Sequence, residues 1–318
     1  MLPSDSAAAS IIDMSSGLDA KLWGLVVTFR RLESLAEMLN NLQGQTHPPA
    51  EVVVVDNGSD ALVEDAAAQA GAIYLDAGDN LGPAGGIALG MQHILQVAGE
   101  DDWIVVLDDD DPPESQEVFE RLLSFAEERR SNDPSTAAVG TVGARYDRRS
   151  GRFQRVPDQD LHGAVPVDYI GGGQLPIYAC AAIRQVGVPD PSLFFGFDDA
   201  DLGLRLKESG FSLWADGSIW RSKREQHGRL NLRARPRTPA ETPAWRRYYS
   251  LRNALILARR YGGPTAPIQL ALVGAPRDIL ALWKAYGLSK DLLLPIRASV
   301  DGLLSRGGKR VDPARQRT

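Results

Sequence analysis

Residues 103–111 read WIVVLDDDD, an apolar run that passes directly into four aspartates. A short apolar run that ends in turn-forming residues is typical of a buried β-strand. Similar runs occur at 22–28 (LWGLVVT), 51–55 (EVVVV) and 72–75, and stretches with helical spacing separate them, at 31–42, 62–70 and 80–97. This alternation predicts an α/β domain built on a mostly parallel sheet flanked by helices.

Polar residues follow the predicted strands at the points where they end. They are Thr28 and Arg30, Asp56 and Asn57, Asn80, and the aspartates at 108–111. Open parallel sheets bind ligands outside the carboxyl ends of their strands. We therefore expect one ligand site at this edge of the sheet.

The aspartate run predicts a metal site. Adjacent carboxylates repel each other, and a hard divalent cation with oxygen ligands relieves that repulsion. Such an ion, shared with substrate phosphates, would hold a diphosphate and offset its charge as it leaves. The alternative is an acidic surface turn, because Asp111 precedes two prolines.

A second acidic cluster lies at 194–201 (FFGFDDAD), before a predicted helix at 202–210. Carboxylates are favoured at helix starts, so capping is one interpretation, and it is the only role expected of Asp201. Two carboxylates beside aromatic residues also suit a general base with a raised pKa. Asp198 or Asp199 is the candidate.

Two further features have weaker patterns. Residues 80–86 (NLGPAGG) form a glycine-rich loop before a helix, which does not match the phosphate-binding P-loop pattern but could contact a nucleotide, with Gly85 as a candidate. His227 is a candidate third metal ligand, and a surface histidine is the alternative.

Charge is distributed unevenly along the 318 residues. Residues 1–220 carry 14 Lys and Arg against 35 Asp and Glu, whereas residues 221–318 carry 21 against 6. A basic final third on an acidic body indicates a surface that meets phosphate, on a lipid or a nucleic acid, or a solvated basic face. Helical patterns at 248–261, 279–286 and 300–304 could lie on a membrane or pack on the main domain.

Location and domain limits follow from simpler features. The single cysteine, Cys180, fits a reducing compartment, and neither a signal peptide nor an apolar run of about 18 residues is apparent, so we expect a cytoplasmic protein. We expect a flexible extension at 1–20, a catalytic domain at 21–225 divided into nucleotide-binding (21–111) and acceptor (112–225) halves, and a basic helical region at 226–318.

Together the motifs resemble those of glycosyltransferase family 2, inverting enzymes with the GT-A fold. The matching pieces are VVTFRR, QTHPPAEVVVVDNGSD, NLGPAGGIALGM, WIVVLDDDD, FFGFDDADLGLRLKESG and WRRYYSLRN, which occur in the family's order between residues 26 and 253. The resemblance implies a GT-A catalytic domain that uses Mn²⁺ or Mg²⁺ and a nucleotide-sugar donor.

The resemblance also implies residue roles. Nucleotide contacts would come from Thr28, Arg30, Asp56, Asn57, Asn80, Gly85, Asp108 and Asp109; metal ligands from Asp108, Asp110 and His227. Asp199 would be the catalytic base with Asp198 in support. Gly172, Gly173 and Gln174 would border the acceptor, and Arg252 and Asn253 would face the substrate's phosphates or simply anchor their helix.

Within the family the chain resembles the actinobacterial galactofuranosyltransferase branch, with one departure: that branch has a metal-binding histidine soon after the strand that here reads GSIW, and this sequence has Arg221 there. The branch implies UDP-galactofuranose as donor and a polyprenyl-diphosphate-linked N-acetylglucosamine–rhamnose acceptor at the inner membrane face. Homo-oligomers are possible, and no nucleic acid partner is expected. Alternatives are a rhamnosyltransferase using dTDP-rhamnose, a sugar nucleotidyltransferase, or a non-catalytic scaffold.

Overall fold

The computed structural model describes residues 20–231 and 242–313. The extension expected at 1–20 lies outside these residues except for Ala20. In the first part, strands and helices alternate as β1 (Leu22–Thr28), α1 (Leu32–Gln43), β2 (Glu51–Asp56), α2 (Ala61–Gln69), β3 (Ile73–Asp76), α3 (Gly82–Val97), β4 (Trp103–Asp108) and α4 (Val118–Asn132). The predicted order of elements is confirmed here, with boundaries moved by one or two residues.

The middle of the chain contains short strands and two helices. The elements are β5 (Thr136–Gly140), β6 (Gly143–Asp147), β7 (Arg152–Gln154), β8 (Ala164–Val167), β9 (Tyr169–Ile170), β10 (Ile177–Ala179), α5 (Cys180–Val186), α6 (Asp198–Glu208) and β11 (Ser212–Asp216). Four further helices complete the described chain: α7 (Gly217–Gln226), α8 (Ala244–Tyr261), α9 (Ala266–Tyr286) and α10 (Leu294–Leu303).

The main sheet has eight strands in the order β3-β2-β1-β4-β10-β5-β11-β8. Neighbouring strands from β3 to β4 are parallel, and only β10 and β8 run against the others. The expectation of a mostly parallel sheet flanked by helices is therefore confirmed. A smaller sheet, in the order β7-β6-β9, lies beside it.

The glycines of α3 allow this helix to lie directly on the sheet. A Cβ atom on Gly86 would come within 2.5 Å of the Val27 side chain, and one on Gly90 would overlap Leu25. Larger residues would push α3 off β1, and the loop that precedes α3 would move with it. The glycine-rich pattern therefore serves close helix–strand packing as well as the loop.

Two predicted boundaries were wrong. The GSIW segment is the first turn of α7 and not a strand, because Asp216 ends β11 and its carboxylate accepts the N–H groups of Ser218 and Ile219 as a helix cap. Helix α6 begins at Asp198, four residues earlier than predicted, since carboxylates are stabilised in a helix's first turn.

The basic C-terminal region is helical, as expected from its apolar spacing. Helix α8 packs on α9 and α10, and a Cβ atom on Gly274 of α9 would approach Leu251 of α8 to 2.6 Å. The aromatic side chains of Phe194, Tyr248 and Tyr249 belong to the apolar core beneath these helices. Helix α8 thus contacts the loop that precedes α6.

Candidate active site

The strand register brings the predicted polar residues to one edge. Thr28 pairs with Asp56, and the preceding residue, Val27, pairs with Asp108 of β4. Because β1, β2 and β4 are parallel, their last residues lie side by side at the carboxyl edge. The candidate site lies at this edge.

The four aspartates after β4 differ in their partners. Thr28 donates its hydroxyl to Asp109 at 2.8 Å, and Arg31 donates to Asp109 at 3.0 Å and pairs with Asp110. Thr28 is thus a support for an aspartate, which differs from the direct nucleotide contact implied by the resemblance. Arg31 is a site residue that the sequence reasoning missed, although it belongs to the quoted VVTFRR motif.

Asp108 has no such partner: the ion pairs of residues 20–231 and 242–313 include none to this carboxylate. Solvent reaches it, yet protein atoms surround it on most sides, so it lies in a cleft. Desolvation, followed by repulsion from Asp110 and Asp111, raises the pKa of Asp108 to about 6. A carboxylate destabilised by its neighbours is suited to receive a cation.

A turn at Gly171, Gly172 and Gly173 lies between the two acidic clusters. A Cβ atom on Gly173 would stand 2.9 Å from the Asp111 carboxylate and 3.2 Å from that of Asp108, so the turn lies close against both aspartates. On the other side, the Gly172 N–H donates to Asp199 at 3.2 Å. The turn continues into Gln174, whose carbonyl accepts from Thr141, and the glycines at 172 and 173 border both acidic clusters.

Asp198 and Asp199 open helix α6 behind a strained loop. Phe194 and Phe197 have φ angles of 59° and 68°, which non-glycine residues rarely adopt. Asp198 is buried, whereas Asp199 is partly open and also accepts the N–H of Ala200 at 2.7 Å. Burial, and then mutual repulsion, raises the pKa of Asp198, and burial raises that of Asp199 against its N–H donors.

Asp201 corrects an expectation. It does not cap the helix: its fully buried carboxylate accepts from Arg205 at 3.0 Å, Arg260 at 2.8 Å and the Tyr261 hydroxyl at 2.8 Å. Because these donors come from α6 and α8, Asp201 ties the two helices together. These donors compensate the charge of Asp201. Asp198 and Asp199 lack such compensation.

Arg252 and Asn253 take the second of their two expected roles, which is to anchor their helix. Both are fully buried; Arg252 donates to the Asn253 side-chain oxygen, and both donate to backbone carbonyls, so they anchor α8 to the loop before α6 and do not face an acceptor. The carbonyl groups that they bond are those of Ser192, Leu193, Phe195, Gly196 and Gly308. A buried guanidinium needs such a cage of acceptors, which local sequence patterns do not reveal.

Three of the predicted nucleotide residues line two separate pockets. Arg30 lines an open pocket of about 530 Å³ with residues 58–62, next to Asp56, whose carboxylate holds the Gly58 and Asp60 N–H groups. Asn80 and Gly85 line another of about 380 Å³. Asn57 supports the loop between them through bonds to Leu81 and Gly82.

His227 is not brought to the aspartates. It ends helix α7, and within the described ranges no group of three His, Cys, Asp or Glu side chains is arranged to hold a metal. Arg221 pairs with Glu225 on the exposed side of α7. The metal set Asp108, Asp110 and His227 therefore remains a prediction, of which the structure assembles the aspartates alone.

The fold and the site define a class of protein. An α/β sheet with carboxylates at its carboxyl edge and a second carboxylate pair facing them is an arrangement for handling a nucleotide-linked group. Residues 25–173 match the family model described as Glycosyl transferase family 2. Residues 25–173 are thus similar to a glycosyltransferase family 2 domain.

Individual relatives agree with this assignment. The chain is 32% identical to the galactofuranosyltransferase GlfT1 of Mycobacterium tuberculosis (strain CDC 1551 / Oshkosh), over 59% of this chain and 65% of the relative. It is also 32% identical to the enzyme of the same name from Mycolicibacterium smegmatis, over 58% of this chain and 65% of that one. The match thus spans slightly under two thirds of these relatives' length.

A solved structure confirms the GT-A fold. The mannosyltransferase PcManGT from Pyrobaculum calidifontis, in complex with GDP-Man and Mn²⁺, superposes with a TM-score of 0.54 at 17% identity, covering 90% of this chain and 88% of that one. At this identity the likeness concerns the fold alone. The expected fold class, including the helical C-terminal extension, is confirmed.

Replacing Asn253 with Ala should loosen the loop before Asp198. The change removes donors to three loop carbonyls, and leaving buried acceptors unsatisfied costs about 1–3 kcal/mol of unfolding free energy. Urea unfolding measures the loss. Asn132→Ala is the control, because Asn132 donates to one exposed helix carbonyl and its loss should cost about 0.5 kcal/mol or less. Equal losses in the two variants would contradict the anchoring role.

Proposed function

We propose that this protein is a metal-dependent inverting glycosyltransferase that transfers galactofuranose from UDP-galactofuranose to a polyprenyl-diphosphate-linked N-acetylglucosamine–rhamnose acceptor. One observation carries the catalytic part of this proposal: Asp199 and the uncompensated Asp108 lie on the two sides of the same glycine turn. The similarity to a family 2 domain and the likeness to mycobacterial galactofuranosyltransferases support the choice of reaction and donor.

The residues present fit a divalent cation. Asp108 offers a solvent-reached carboxylate that makes no ion pair within the described ranges and feels only the more distant charge of Arg31, and Asp110 and Asp111 add oxygen donors nearby. Arg31 already neutralises Asp109 and contacts Asp110, so Asp108 is the principal ligand we propose. When bound, Mn²⁺ or Mg²⁺ would offset the charge of the donor diphosphate and of the departing UDP. His227 stays a proposed further ligand.

The proposed reaction is a single displacement at the anomeric carbon. Asp199 takes the proton of the acceptor hydroxyl as its oxygen forms a bond to that carbon, and the bond to the UDP oxygen breaks on the opposite side. The partly open Asp199 suits this role better than the buried Asp198. Asp198 supports it by repulsion, which keeps the proton affinity of the pair high.

The acceptor sets the cellular setting that we propose. A polyprenyl diphosphate is held in a bilayer, so the enzyme would work at the inner membrane face as a peripheral cytoplasmic protein and without nucleic acid. Gly172, Gly173 and Gln174 border the acidic clusters and would contact the acceptor sugar.

Mn²⁺ should stabilise the folded protein through Asp108. At pH 7.5 we expect the ion to raise the free energy of unfolding by about 2.7 kcal/mol at a concentration of 100 Kd, and with it the unfolding midpoint; Asp108→Asn should remove this effect. Below pH about 6 the gain should fade, because protonation of Asp108 competes with the ion. Differential scanning fluorimetry measures the midpoints.

The raised pKa of Asp108 also predicts how stability depends on pH without metal. The folded state holds the Asp108 proton more tightly than the unfolded chain, so this group's contribution to stability declines as pH rises from about 4 to about 6. Asp108→Asn should thus exceed the wild type in stability at pH 7.5 without metal. Asp101→Asn, on the exposed loop before β4, should behave as the wild type. A full Mn²⁺ response in Asp108→Asn would refute the ligand role.

Asp199→Asn should abolish transfer and preserve donor binding. Loss of a general base costs about 10²–10⁴-fold in kcat, whereas UDP affinity should change little, because the base contacts the acceptor. Since burial raises the pKa of Asp199, wild-type kcat/KM should rise with pH through a value above the ordinary carboxylate range of about 4. Glu208→Gln, at the exposed end of the same helix, is the control. Equal loss of turnover and UDP affinity would argue against a base.

Donor choice is tested by nucleotide release. Purified protein with Mn²⁺ and a synthetic lipid-linked rhamnosyl-N-acetylglucosamine acceptor is given UDP-galactofuranose or dTDP-rhamnose. We expect UDP with the first and none of dTDP with the second, and a product of inverted anomeric configuration by NMR. Release of dTDP alone would move the enzyme to the rhamnosyl branch, and pyrophosphate would indicate a nucleotidyltransferase.

A further inference from the structure

Helices α9 and α10 each bury a carboxylate and expose a row of apolar side chains. Asp278 of α9 and Asp301 of α10 are 2% and 3% exposed. Asp278 pairs with the buried Arg247 of α8, and Asp301 accepts the hydroxyl of Tyr248 at 2.7 Å. An amphipathic helix on a protein surface normally has the opposite polarity.

The outward side of these helices is an extensive apolar surface. On α9 the exposed residues recur at helical spacing on the side away from α8, and Leu272 is 71% exposed. The connection and α10 continue the pattern, with Leu288 91% exposed. We call this set the α9–α10 face; its members are Ile268, Leu272, Val273, Leu280, Trp283, Tyr286, Leu288, Leu293, Ile296, Val300 and Leu304.

Charge on the same helices is sorted by sign. The fully exposed charged side chains among the face residues are cations, Arg277, Lys284, Lys290 and Arg297, and Asp291, next to Lys290, is a partly buried carboxylate. The carboxylates Asp278 and Asp301 lie inside, where arginines surround them. An apolar surface flanked by cations is complementary to an anionic surface with an apolar interior.

We propose that the α9–α10 face docks the protein on an anionic lipid bilayer. Leucine, isoleucine and valine side chains would enter the boundary between headgroups and acyl chains, Trp283 and Tyr286 would lie at that level, and the flanking cations would meet lipid phosphates. No helix in the described ranges is long and apolar enough to cross a membrane, so the helices lie on it.

A second copy of this chain fits the face less well. A two-fold interface would set the cations of one copy against those of the other, with the carboxylates of both turned inward. Lysine is also depleted from the centres of protein interfaces, whereas it is favoured beside a bilayer. The charge pattern therefore selects the membrane. The proposal refines the membrane partner of the proposed function, but its observations concern the helices and not the active site.

Vesicle flotation tests the proposal with the full chain. Phosphatidylcholine vesicles containing 30% or no phosphatidylglycerol are mixed with the wild type or with the double variant Leu272→Gln, Trp283→Gln. We expect the wild type to float with anionic vesicles and at least ten-fold less with neutral ones, and the double variant to lose at least ten-fold in partitioning. Lys284→Glu should weaken binding to anionic vesicles alone.

The matched control replaces equally exposed apolar residues elsewhere. Leu62 of α2 and Val97 of α3 are 58% and 63% exposed, and Leu62→Gln, Val97→Gln should float as the wild type does. Absence of wild-type flotation, or equal losses in both double variants, would overturn the proposal. A wild-type dimer by analytical ultracentrifugation that the face variant dissociates, without vesicle binding, would assign the face to a second copy and overturn it as well.

Transfer to a water-soluble acceptor analogue separates this surface from the chemistry. The face variant should retain the wild-type rate with that analogue and lose rate only with an acceptor embedded in anionic vesicles. A protein that binds vesicles through this face but transfers no sugar would refute the proposed function and leave the docking surface standing. A protein that transfers sugar to the soluble analogue and binds no vesicles would refute the docking surface and leave the proposed function standing.

Discussion

The arrangement of the site depends on the repulsion between carboxylates at the carboxyl edge of the sheet. Six aspartates come from two segments, 108–111 and 198–199, and the glycine turn lies between them. Arg31 neutralises part of the first segment and backbone N–H groups stabilise Asp199, but Asp108 keeps its excess negative charge. Protein groups thus neutralise only part of the negative charge of the site. The charge that remains can attract a cation, and the cation can in turn hold a diphosphate.

The second acidic segment is held in place by the C-terminal helices. The loop before Asp198 contains three consecutive or near-consecutive left-handed residues, Phe194, Gly196 and Phe197, a conformation that persists only when its surroundings enforce it. Arg252 and Asn253 provide that enforcement from α8, and the Asp201–Arg260 pair adds a second connection one turn later. Some basic side chains of the last third therefore lie inside the protein, where they bind carbonyl groups and aspartates near Asp199.

Local patterns in the sequence predicted the strands, the sheet edge and both acidic segments, because apolar periodicity and strand-end polarity depend on neighbouring residues only. Partners distant in sequence were beyond such patterns. Arg31 reaches aspartates 78 residues away, and Arg252 reaches carbonyls about 60 residues away. For this reason the capping role expected of Asp201 was wrong, and the two roles open to Arg252 could not be separated from the sequence: an arginine and an aspartate at helical positions look solvent-facing until a partner is placed opposite them.

The buried carboxylates and exposed apolar side chains of α9 and α10 follow from what helix α8 carries on its inner side. Helix α8 carries Arg247, Tyr248 and Arg252 toward the interior, so the helices that cover it must bring carboxylates inward to satisfy those groups, as Asp278 and Asp301 do. Once the acidic residues are used on the inside, cations and apolar side chains remain for the outside. The outward surface therefore combines cations with apolar side chains on the same helices that, through α8, fix the position of Asp199.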